Sequence, residues 1–473
     1  MVEMVKITVD GRELKVAKGE LLIDSLRKEL IEIPHFCYHP ALGKDGNCRM
    51  CMVSIEGQKR PQIACDTPVK DGMIVDTKNN KIMQVRKDIL ELELINHPVD
   101  CPVCDQAGEC KLQDYYMESG FYNSRMNVEK NHALKQLDLG KNVILDQERC
   151  VLCTRCVRFT KQITKTNELG VLDRSDHSVI STFPGKELES DYSMNIVDLC
   201  PVGALTNKDF RFKQRVWFLD SFDAICKGCS KGCNITVDHN KQKNKDDKIF
   251  RFRPRINEKV NGYFICDYGR MTYSQENENR LEQSLVAKKI KSDTEINKAL
   301  ASKLKKHKGK ILFLVSPMLS NEELELLNEL ALKIKASVSG FSKQYIDKSF
   351  ADDMLKTSDL SPNRTGMKKL GITETKVAFD EALEKSTLVC VFENNYFEDK
   401  MELLKKKEVI SGFSHICELS KHANISLALP SFLEKNGTYI NCDKKIQSIK
   451  SGMNKNNPNI DLISRFQAIK TLV

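Results

Sequence analysis

The chain reads Cys150-Val151-Leu152-Cys153-Thr154-Arg155-Cys156 at its most informative point, and Cys200-Pro201 follows farther along. Thiolates at this spacing are typical ligands of iron–sulfur clusters, in which four cysteines hold one cluster. The known C-x2-C-x2-C-x3-C-P pattern would place Cys-Pro at 160–161, where the chain has Thr160 and Lys161. We therefore predict that Cys200 is the fourth ligand of a 4Fe–4S site.

The chain lacks the cysteines for a second 4Fe–4S site of this ferredoxin type. Counting back from Cys200, a second run would need cysteines where the chain has Ser190, Ser193 and Ile196. In bacterial two-cluster ferredoxins, the fourth cysteine of each run ligates the other cluster. The chain thus keeps the ligands for one 4Fe–4S cluster and lacks those for its twin. The Cys-Pro closure disfavours zinc at this site.

A set nearer the N-terminus has the spacing C-x10-C-x2-C-x13-C and comprises Cys37, Cys48, Cys51 and Cys65. Four thiolates can hold a 2Fe–2S cluster, and a glycine-bearing loop such as 46–51 lets backbone amides approach the sulfurs. The preceding chain predicts a hairpin around Asp10-Gly11 and a helix at 21–30, as in a ferredoxin-like domain. Zinc is the alternative, because four cysteines also form tetrahedral structural sites.

Another set combines one histidine with three cysteines: His97, Cys101, Cys104 and Cys110. Apolar residues at helical spacing predict a helix over Lys81–Ile95, which delivers His97 at its end. Alone, this set fits zinc as well as a 4Fe–4S cluster. One imidazole in place of a thiolate makes a cluster less anionic and should raise its potential.

The last set comprises Cys226, Cys229, Cys233 and Cys266. We predict a further 4Fe–4S site, with the alternative that Cys266 is a free thiol and the site is incomplete. The polar stretch Asn240–Lys248 within this set predicts an exposed loop. The remaining cysteines are predicted to be small buried hydrophobic residues outside any metal site; they are Cys390, Cys417 and Cys442.

Composition and motif content limit the classes of function that fit this chain. The chain has 473 residues and a net charge of +9, which predicts several domains. Its lysines are scattered in short runs, so nucleic-acid binding is not expected. The longest apolar runs are too short for a membrane span, and a cysteine-rich chain without a secretion signal predicts a reducing compartment. No G-x-G-x-x-G or G-x4-G-K-[ST] motif is present, so no nucleotide site is expected.

Strands and helices are predicted to alternate after about residue 280. The strands are Ile311–Val315, Thr387–Phe392 and Ile425–Leu429, and a helix spans Asn321–Ala336. This alternation indicates an α/β layer with a parallel sheet.

The order of the four sets resembles the large iron–sulfur subunit (in bacteria, the G subunit) of NADH–quinone oxidoreductase, respiratory complex I. The resemblance is strong over 1–275 and thin over 285–473. It is carried by the stretches 46–51, 101–114, 153–159 and 198–206. Cys226–Cys233 and Cys266-Asp267-Tyr268-Gly269-Arg270 resemble the start of molybdopterin oxidoreductases, and 429–447 echoes that fold.

The resemblance implies a multi-domain α+β protein. Its predicted domains are a ferredoxin-like 2Fe–2S domain at 1–78, a 4Fe–4S domain with the histidine at 79–139, a ferredoxin-like 4Fe–4S domain at 140–217, a 4Fe–4S domain of molybdopterin-oxidoreductase type at 218–275, and a shortened molybdopterin-oxidoreductase-like α/β domain at 276–473. One 2Fe–2S and three 4Fe–4S clusters are expected. No molybdopterin, flavin or nucleotide is expected on this chain.

The same resemblance implies an electron-transfer role without a complete substrate site on this chain. Electrons would enter at the 2Fe–2S cluster, pass to the Cys150 set, then to the His97 set, and continue towards quinone, with the Cys226 set off this route. The expected partners are other peripheral-arm subunits of complex I and an electron donor. The expected location is peripheral, on the cytoplasmic side of the inner membrane, without direct membrane insertion.

Three alternatives stay open from the sequence. A hydrogenase subunit shares the first two sites but normally keeps both ferredoxin clusters, which Ser190, Ser193 and Ile196 argue against. A formate dehydrogenase chain is disfavoured by the short C-terminal region, and a molybdenum assay would decide. The third is a zinc-stapled structural scaffold, which would be colourless.

Overall fold

The structure is a computed structural model that describes residues 3–121, 123–127, 129–240, 248–342, 345–394, 396, 401–453 and 461–473. The chain divides into two units, Met1–Phe218 and Leu219–Val473. The loop predicted at Asn240–Lys248 falls mainly on 241–247, which lie outside the described residues.

The first unit contains short strands and helices joined by the loops that carry the first three cysteine sets. The strands are β1 (Met4–Val9), β2 (Arg12–Ala17), β3 (Met52–Ile55), β4 (Gln62–Ile63), β5 (Met73–Asp76), β6 (Leu137–Asp138), β7 (Val143–Leu145), β8 (Leu169–Leu172), β9 (Val179–Thr182) and β10 (Leu205–Asn207). The helices are α1 (Leu22–Lys28), α2 (Asn80–Leu94), α3 (Lys111–Ser119), α4 (Arg155–Gln162) and α5 (Asn195–Leu199).

The N-terminal strands form a sheet in the order β2-β1-β5-β3-β4. β1 and β2 are an antiparallel hairpin in which Val9 pairs with Arg12. Between them, Asp10 has φ of 48° and Gly11 has φ of 81°, and positive φ at both central residues fits the tight turn that matches strand twist. The predicted hairpin is confirmed, and the predicted helix at 21–30 is present as α1.

The helix α2 confirms the helix predicted at Lys81–Ile95. It starts after Asn79, whose side-chain oxygen accepts a 3.0 Å hydrogen bond from the Ile82 amide and so satisfies one of the free amides of the first turn. Ile82 and Leu90 are fully buried on one face. The C-terminal end of α2 leads directly to His97.

The second unit begins with an antiparallel sheet and continues into an α/β layer. Its strands are β11 (Leu219–Ile225), β12 (Asn234–Asn240), β13 (Ile249–Pro254), β14 (Leu285–Val286), β15 (Lys289–Ile290), β16 (Ile311–Leu314), β17 (Ser337–Ser339), β18 (Leu388–Phe392), β19 (Glu408–Phe413), β20 (Ile425–Ala428), β21 (Gly437–Ile440) and β22 (Ile446–Ile449). Its helices are α6 (Asp267–Met271), α7 (Tyr273–Glu276), α8 (Asp293–Lys306), α9 (Asn321–Ile334), α10 (Arg364–Lys369), α11 (Lys376–Lys385), α12 (Met401–Leu404), α13 (Glu418–His422) and α14 (Leu462–Leu472).

The α/β layer is built on a seven-stranded sheet in the order β15-β14-β20-β19-β18-β16-β17. The strands from β20 to β17 run parallel, and every residue of β18 is buried, as expected for a sheet covered on both faces. The predicted strands in β16, β18 and β20 and the predicted helix α9 are confirmed. The antiparallel sheet β11-β12-β13 precedes this layer, and its first connection carries three cysteines.

Candidate iron–sulfur centres

The first set is brought together by the loops after α1 and after β4. The sulfurs of Cys37 and Cys48 lie 3.4 Å apart, and the thiol of Cys65 is hydrogen-bonded to those of Cys37 and Cys51. All four side chains are buried. The Phe36 amide lies 3.5 Å from the Cys48 sulfur, which is an amide–sulfur contact of the kind that tunes cluster potentials.

The loop of this set has the backbone turns that such contacts need. Gly46 has φ of 77° and Arg49 has φ of 56°, both in the left-handed region where glycine carries no steric cost. The Gly46 amide donates to the Cys37 thiol. These turns direct backbone amides towards the enclosed sulfurs.

The second set combines a short turn with the start of α3. The Cys104 amide donates to the Cys101 carbonyl at 3.1 Å, and the Cys110 thiol accepts from two amides of the first turn of α3. Burial raises the pKa of Cys110 to about 11. A Cβ added at Gly203 would lie 2.3 Å from the Cys104 sulfur. The absence of a side chain at Gly203 therefore keeps the space beside this sulfur open.

The histidine of the second set is held by the end of α2. The Lys130 ammonium donates to the carbonyls of Leu94, Ile95 and His97, at 2.6, 3.1 and 2.7 Å. Burial, together with the charge of Arg149, lowers the pKa of His97 to about 4, which keeps the imidazole neutral and able to bind a metal. Within the described part of the chain, no hydrogen bond joins the His97 ring to the three cysteines of its set.

A partly buried ion pair lies beside the same set. The Arg149 guanidinium donates to both carboxylate oxygens of Asp100, at 3.1 and 2.7 Å, and lies 3.3 Å from Asp146. This two-point geometry fixes the guanidinium. Its positive charge also acts on Cys104. Arg149 therefore gives this set a fixed cationic neighbour.

The third set lines one cavity. Its walls contain Cys150, Cys153, Cys156 and Cys200 with a mainly apolar surround. The charges of Cys150, Cys153 and Cys200 all act on Cys156. Burial raises the pKa of Cys153 to about 12 and that of Cys156 well above its ordinary value. Bare thiols here would stay protonated at neutral pH, so a positive group is needed to hold them as thiolates.

The backbone around this cavity is unusual. Leu152 has φ of 46° and Thr154 has φ of 59°, and left-handed residues other than glycine are concentrated at functional sites. The Leu152 amide lies 3.4 Å from the Cys150 sulfur, and amides near residues 202–205 donate to Cys200. The loop thus combines left-handed backbone conformations with amide–sulfur contacts.

The fourth set belongs to the second unit and joins a hairpin loop to a helix start. The Cys226 amide donates to the Cys233 carbonyl at 2.8 Å, which closes the loop between β11 and β12. The Cys266 sulfur accepts from the Gly269 amide at 3.3 Å. A Cβ at Gly269 would lie 3.0 Å from the Cys226 sulfur and 3.3 Å from that of Cys266, so the two sulfurs flank the same backbone atom.

These sets fit iron–sulfur clusters in several respects. The thiols are buried or half-buried, amides approach the sulfurs in each set, and glycines leave room beside Cys104, Cys226 and Cys266. Among the described residues, no group of three or more His, Cys, Asp or Glu side chains is arranged to hold a metal ion. The assignment of ligands therefore depends on the spacing and on these surroundings.

The three remaining cysteines lie apart from the four sets. Cys390 is buried within β18, and Cys417 precedes α13 and is partly buried. The prediction of a small buried hydrophobic residue holds for Cys390, only in part for Cys417, and is wrong for Cys442, which is exposed in the turn after β21. Polar neighbours such as Asp443 make this turn a surface feature.

Sequence reasoning missed the basic residues around the sets. Arg149, Arg155 and Arg158 are buried, although arginine is seldom buried without partners. Two of them lie within the cysteine-rich stretch 150–159, where a charged residue between ligands was a usable signal. Lys130 had no such signal, because its partners are carbonyls far away in sequence.

Four protein-family models match this chain. They are the 2Fe-2S iron-sulfur cluster binding domain over 2–80, the NADH-ubiquinone oxidoreductase-G iron-sulfur binding region over 86–125, the ferredoxin-like domain of NADH-quinone oxidoreductase subunit 3 over 140–206, and the molybdopterin oxidoreductase Fe4S4 domain over 220–278. The fold and these matches define an iron–sulfur protein with 2Fe–2S and 4Fe–4S binding domains. The predicted fold class is thereby confirmed.

Curated relatives carry the name of one component of a larger enzyme. The NADH-quinone oxidoreductase G subunit of Rickettsia bellii (strain RML369-C) is 36% identical over 336 residues, which is 70% of this chain and 48% of the relative. The mitochondrial NADH-ubiquinone oxidoreductase 78 kDa subunit of Neurospora crassa is 38% identical over 288 residues, which is 61% of this chain and 38% of the relative. Over 70% of its length the chain is similar to an NADH-quinone oxidoreductase G subunit, and it spans about half the length of that Rickettsia relative.

One solved structure is also similar. A chain of the NAD+-reducing [NiFe]-hydrogenase in the H2-reduced state matches with 27% identity and a TM-score of 0.41, over 45% of this chain and 91% of that chain. In the part of the chain that the structure describes, no helix is long and apolar enough to cross a membrane.

Proposed function

We propose that this chain is an electron-transfer subunit of a respiratory NADH–quinone oxidoreductase, fed by NADH or another donor. Within that complex it passes electrons through iron–sulfur clusters towards quinone, while the whole complex translocates ions. The observation that carries the proposal is the presence of four cysteine-rich sets, with amide–sulfur contacts, inside segments that match iron–sulfur families.

The proposed ligands are those of the four sets. The first set holds a 2Fe–2S cluster and the other three hold 4Fe–4S clusters; in order, the ligands are Cys37, Cys48, Cys51, Cys65; His97, Cys101, Cys104, Cys110; Cys150, Cys153, Cys156, Cys200; and Cys226, Cys229, Cys233, Cys266. The clusters supply one-electron redox chemistry. The chain binds them, buries them and sets their potentials through amides and nearby charges.

The proposed domains are 1–78, 79–139, 140–217, 218–275 and 276–473. The family matches at 2–80, 86–125, 140–206 and 220–278 support the first four, and the division between the two units after Phe218 agrees with the boundary at 217/218. The last domain is proposed to be a cofactor-free α/β domain.

The proposed route runs from the first set to the third and then to the second, with the fourth set off the route. Side chains of helix α4, next to the third set, donate hydrogen bonds to the loop that begins at Cys37 of the first set. This contact supports a direct electron-transfer step between the two sets. The proposed partners are other peripheral-arm subunits and an electron donor. The proposed location is peripheral, on the cytoplasmic side of the inner membrane.

The test is metal and spectral analysis of the assembled complex purified without oxygen. Filled sets would give about 14 iron atoms per chain, together with paramagnetic signals of one 2Fe–2S and three 4Fe–4S clusters after reduction. Stoichiometric zinc with little iron would overturn the proposal in favour of a structural scaffold. A Cys442→Ser variant is the matched control, because it removes an exposed thiol outside the four sets and should leave iron and signals unchanged.

A further inference from the structure

Helix α4 carries two buried arginines on one face. Arg155 and Arg158 are three residues apart, so their side chains are neighbours on the helix surface, and each is only 8% exposed. The helix begins between Cys153 and Cys156 of the third set. Both guanidiniums therefore start from the backbone that holds one proposed cluster.

The Arg158 guanidinium reaches the loop of the first set. It donates to the carbonyl of Leu42 at 3.1 Å and to that of Gly43 at 2.9 Å, and its other terminal nitrogen donates to the carbonyl of Cys37. Cys37 is itself a proposed ligand. The Arg158 side chain, which starts beside the third set, thus binds three backbone carbonyls of the loop that carries the first set.

Arg155 makes a second connection between the same two regions. It donates to the carbonyl of Tyr38 at 2.6 Å and to the carbonyl of Leu199 at 3.1 Å. Tyr38 follows Cys37, and Leu199 precedes Cys200. The guanidinium therefore joins the backbone next to a ligand of each set.

A neutral link runs beside these two. The Asn47 amide nitrogen donates to the Leu152 carbonyl at 2.8 Å, and these residues lie within the loops of the first and third sets. Three side chains thus connect the two loops, and two of the three are positively charged.

The charge of the two arginines lacks a carboxylate partner. Their hydrogen-bond acceptors are backbone carbonyls and the Thr154 hydroxyl, and no ion pair with Asp or Glu forms among the described residues. Within the described part of the chain, the buried Nε of Arg155 has no hydrogen-bond partner. A buried cation needs a compensating anion, and a cluster bound by four thiolates carries negative charge.

We propose that Arg155 and Arg158 are positioning residues for electron transfer between the first and third sets. They fix the separation of the two clusters, and their charge favours the more negative, reduced state of each. With both clusters bound, one electron would pass from the reduced 2Fe–2S cluster to the oxidised 4Fe–4S cluster, and no proton would move to or from the arginines, which stay charged. This inference rests on the proposed function.

The experiment uses the assembled complex with four variants. Arg155→Gln and Arg158→Gln remove the charge, whereas Arg155→Lys and Arg158→Lys keep it but lose the fork that reaches several carbonyls. Lys161→Gln is the control, because it removes one charge from an exposed position on the same helix. Readouts are iron content, the midpoint potential of each cluster by EPR redox titration, the magnetic interaction between the clusters, and the electron-transfer rate after rapid mixing.

The glutamine variants should lower the potential of at least one of the two clusters by about 59 mV, which is a tenfold change in a one-electron equilibrium. The lysine variants should keep the potentials, but weaken the magnetic interaction and slow the transfer by about tenfold, as expected when donor and acceptor are less well held. Lys161→Gln should change none of these. If one glutamine variant fails to assemble, the lysine variant at that position decides the positioning role, and the glutamine variant at the other position decides the role of charge.

Two results overturn the inference. Unchanged potentials in fully loaded glutamine variants would remove the role of charge, and unchanged rate and magnetic interaction in the lysine variants would remove the role in positioning. Failure of the proposed function is distinguishable, because the unaltered protein would then lack the 2Fe–2S and 4Fe–4S signals. Signals present but insensitive to all four variants would reject the inference alone.

Discussion

The third and fourth sets share one plan, with three closely spaced cysteines and a fourth from a distant segment, but they differ in their surroundings. The third set is connected to other sets: Arg155 reaches the loop of the first, and Gly203, just after Cys200, lies against the sulfur of Cys104 in the second. The fourth set has Gly228, Tyr268 and Gly269 packed around its sulfurs. Its loop is hydrogen-bonded to other segments of the second unit, because the Ser230 amide donates to the Asp359 carbonyl and the Gln447 side chain donates to the Gly232 carbonyl.

This difference separates two uses of the same ligand chemistry. Direct contacts between neighbouring sets keep their clusters at a fixed distance, which an electron-transfer route requires. The fourth set crosslinks segments of the second unit, so its metal contributes mainly to folding. Loss of a third-set ligand should therefore damage function, whereas loss of a fourth-set ligand should damage yield.

The largest effect is expected from removing all clusters. Hydrogen exchange should accelerate strongly in the loops of all four sets, because the binding energy of a metal site is also folding energy. Exchange in β18 should remain slow, since all its residues are buried in an apolar sheet. Mass spectrometry of peptides before and after anaerobic chelation measures both. Equal acceleration in β18 would show that the sheet also depends on metal.

The next effect is that of Cys153→Ser. The substitution removes a thiolate from the set that shares walls with both neighbours, so donor-to-quinone turnover should fall by about 100-fold or more. Turnover and EPR spectra of the assembled complex provide the measurement, with Cys442→Ser as the control. Near-normal turnover with the signal of this cluster gone would contradict the proposed route.

The sequence predicts the ligand sets and the regular elements better than it predicts the contacts between the sets. Cysteine spacing predicts the closely spaced ligands of each set, because these lie in one loop, and periodicity predicts α2, α9 and the buried strands of the sheet. The bridges by Arg155 and Arg158 join residues more than 100 positions apart, and no local pattern encodes such a contact. Exposure of Cys442 was also missed, because its turn is defined by the pairing of β21 with β22.

Cys266→Ser should have a smaller and different effect. It should remove one 4Fe–4S cluster and leave the other three, because the Cys266 sulfur lies beside that of Cys226 across Gly269, within its own set. The yield of assembled complex should fall several-fold while turnover per assembled complex is kept. Iron content, cluster spectra and turnover are measured on one preparation. Unchanged iron and spectra would show that Cys266 is a bystander thiol, and a collapse of turnover would place the fourth cluster on the route.

The smallest effect concerns the sheet that carries the fourth set. Asp238 in β12 is buried and accepts hydrogen bonds from Arg251 at 2.7 Å and from Arg253 at 2.7 and 2.9 Å. Burial opposes its ionisation, but the hydrogen bond to Arg253 and the charges of both arginines keep the pKa of Asp238 below its usual range. Asp238→Asn should destabilise the second unit by about 2 kcal/mol, less than for a fully buried pair because Arg253 is partly exposed.

The pH dependence of this effect has a definite sign. Since the pKa of Asp238 is lower in the folded chain, its contribution is fully present above the unfolded value of about 4 and is lost only as pH falls through the folded value. The stability difference between the unaltered chain and Asp238→Asn should therefore be constant between about pH 6 and 8. Denaturant unfolding, monitored by hydrogen exchange in β12, measures this stability difference. Asp220→Asn is an exposed control on the neighbouring strand. A difference that grows with rising pH in this window, or an equal loss of stability in the control, would show that the arginine pair does not stabilise the sheet.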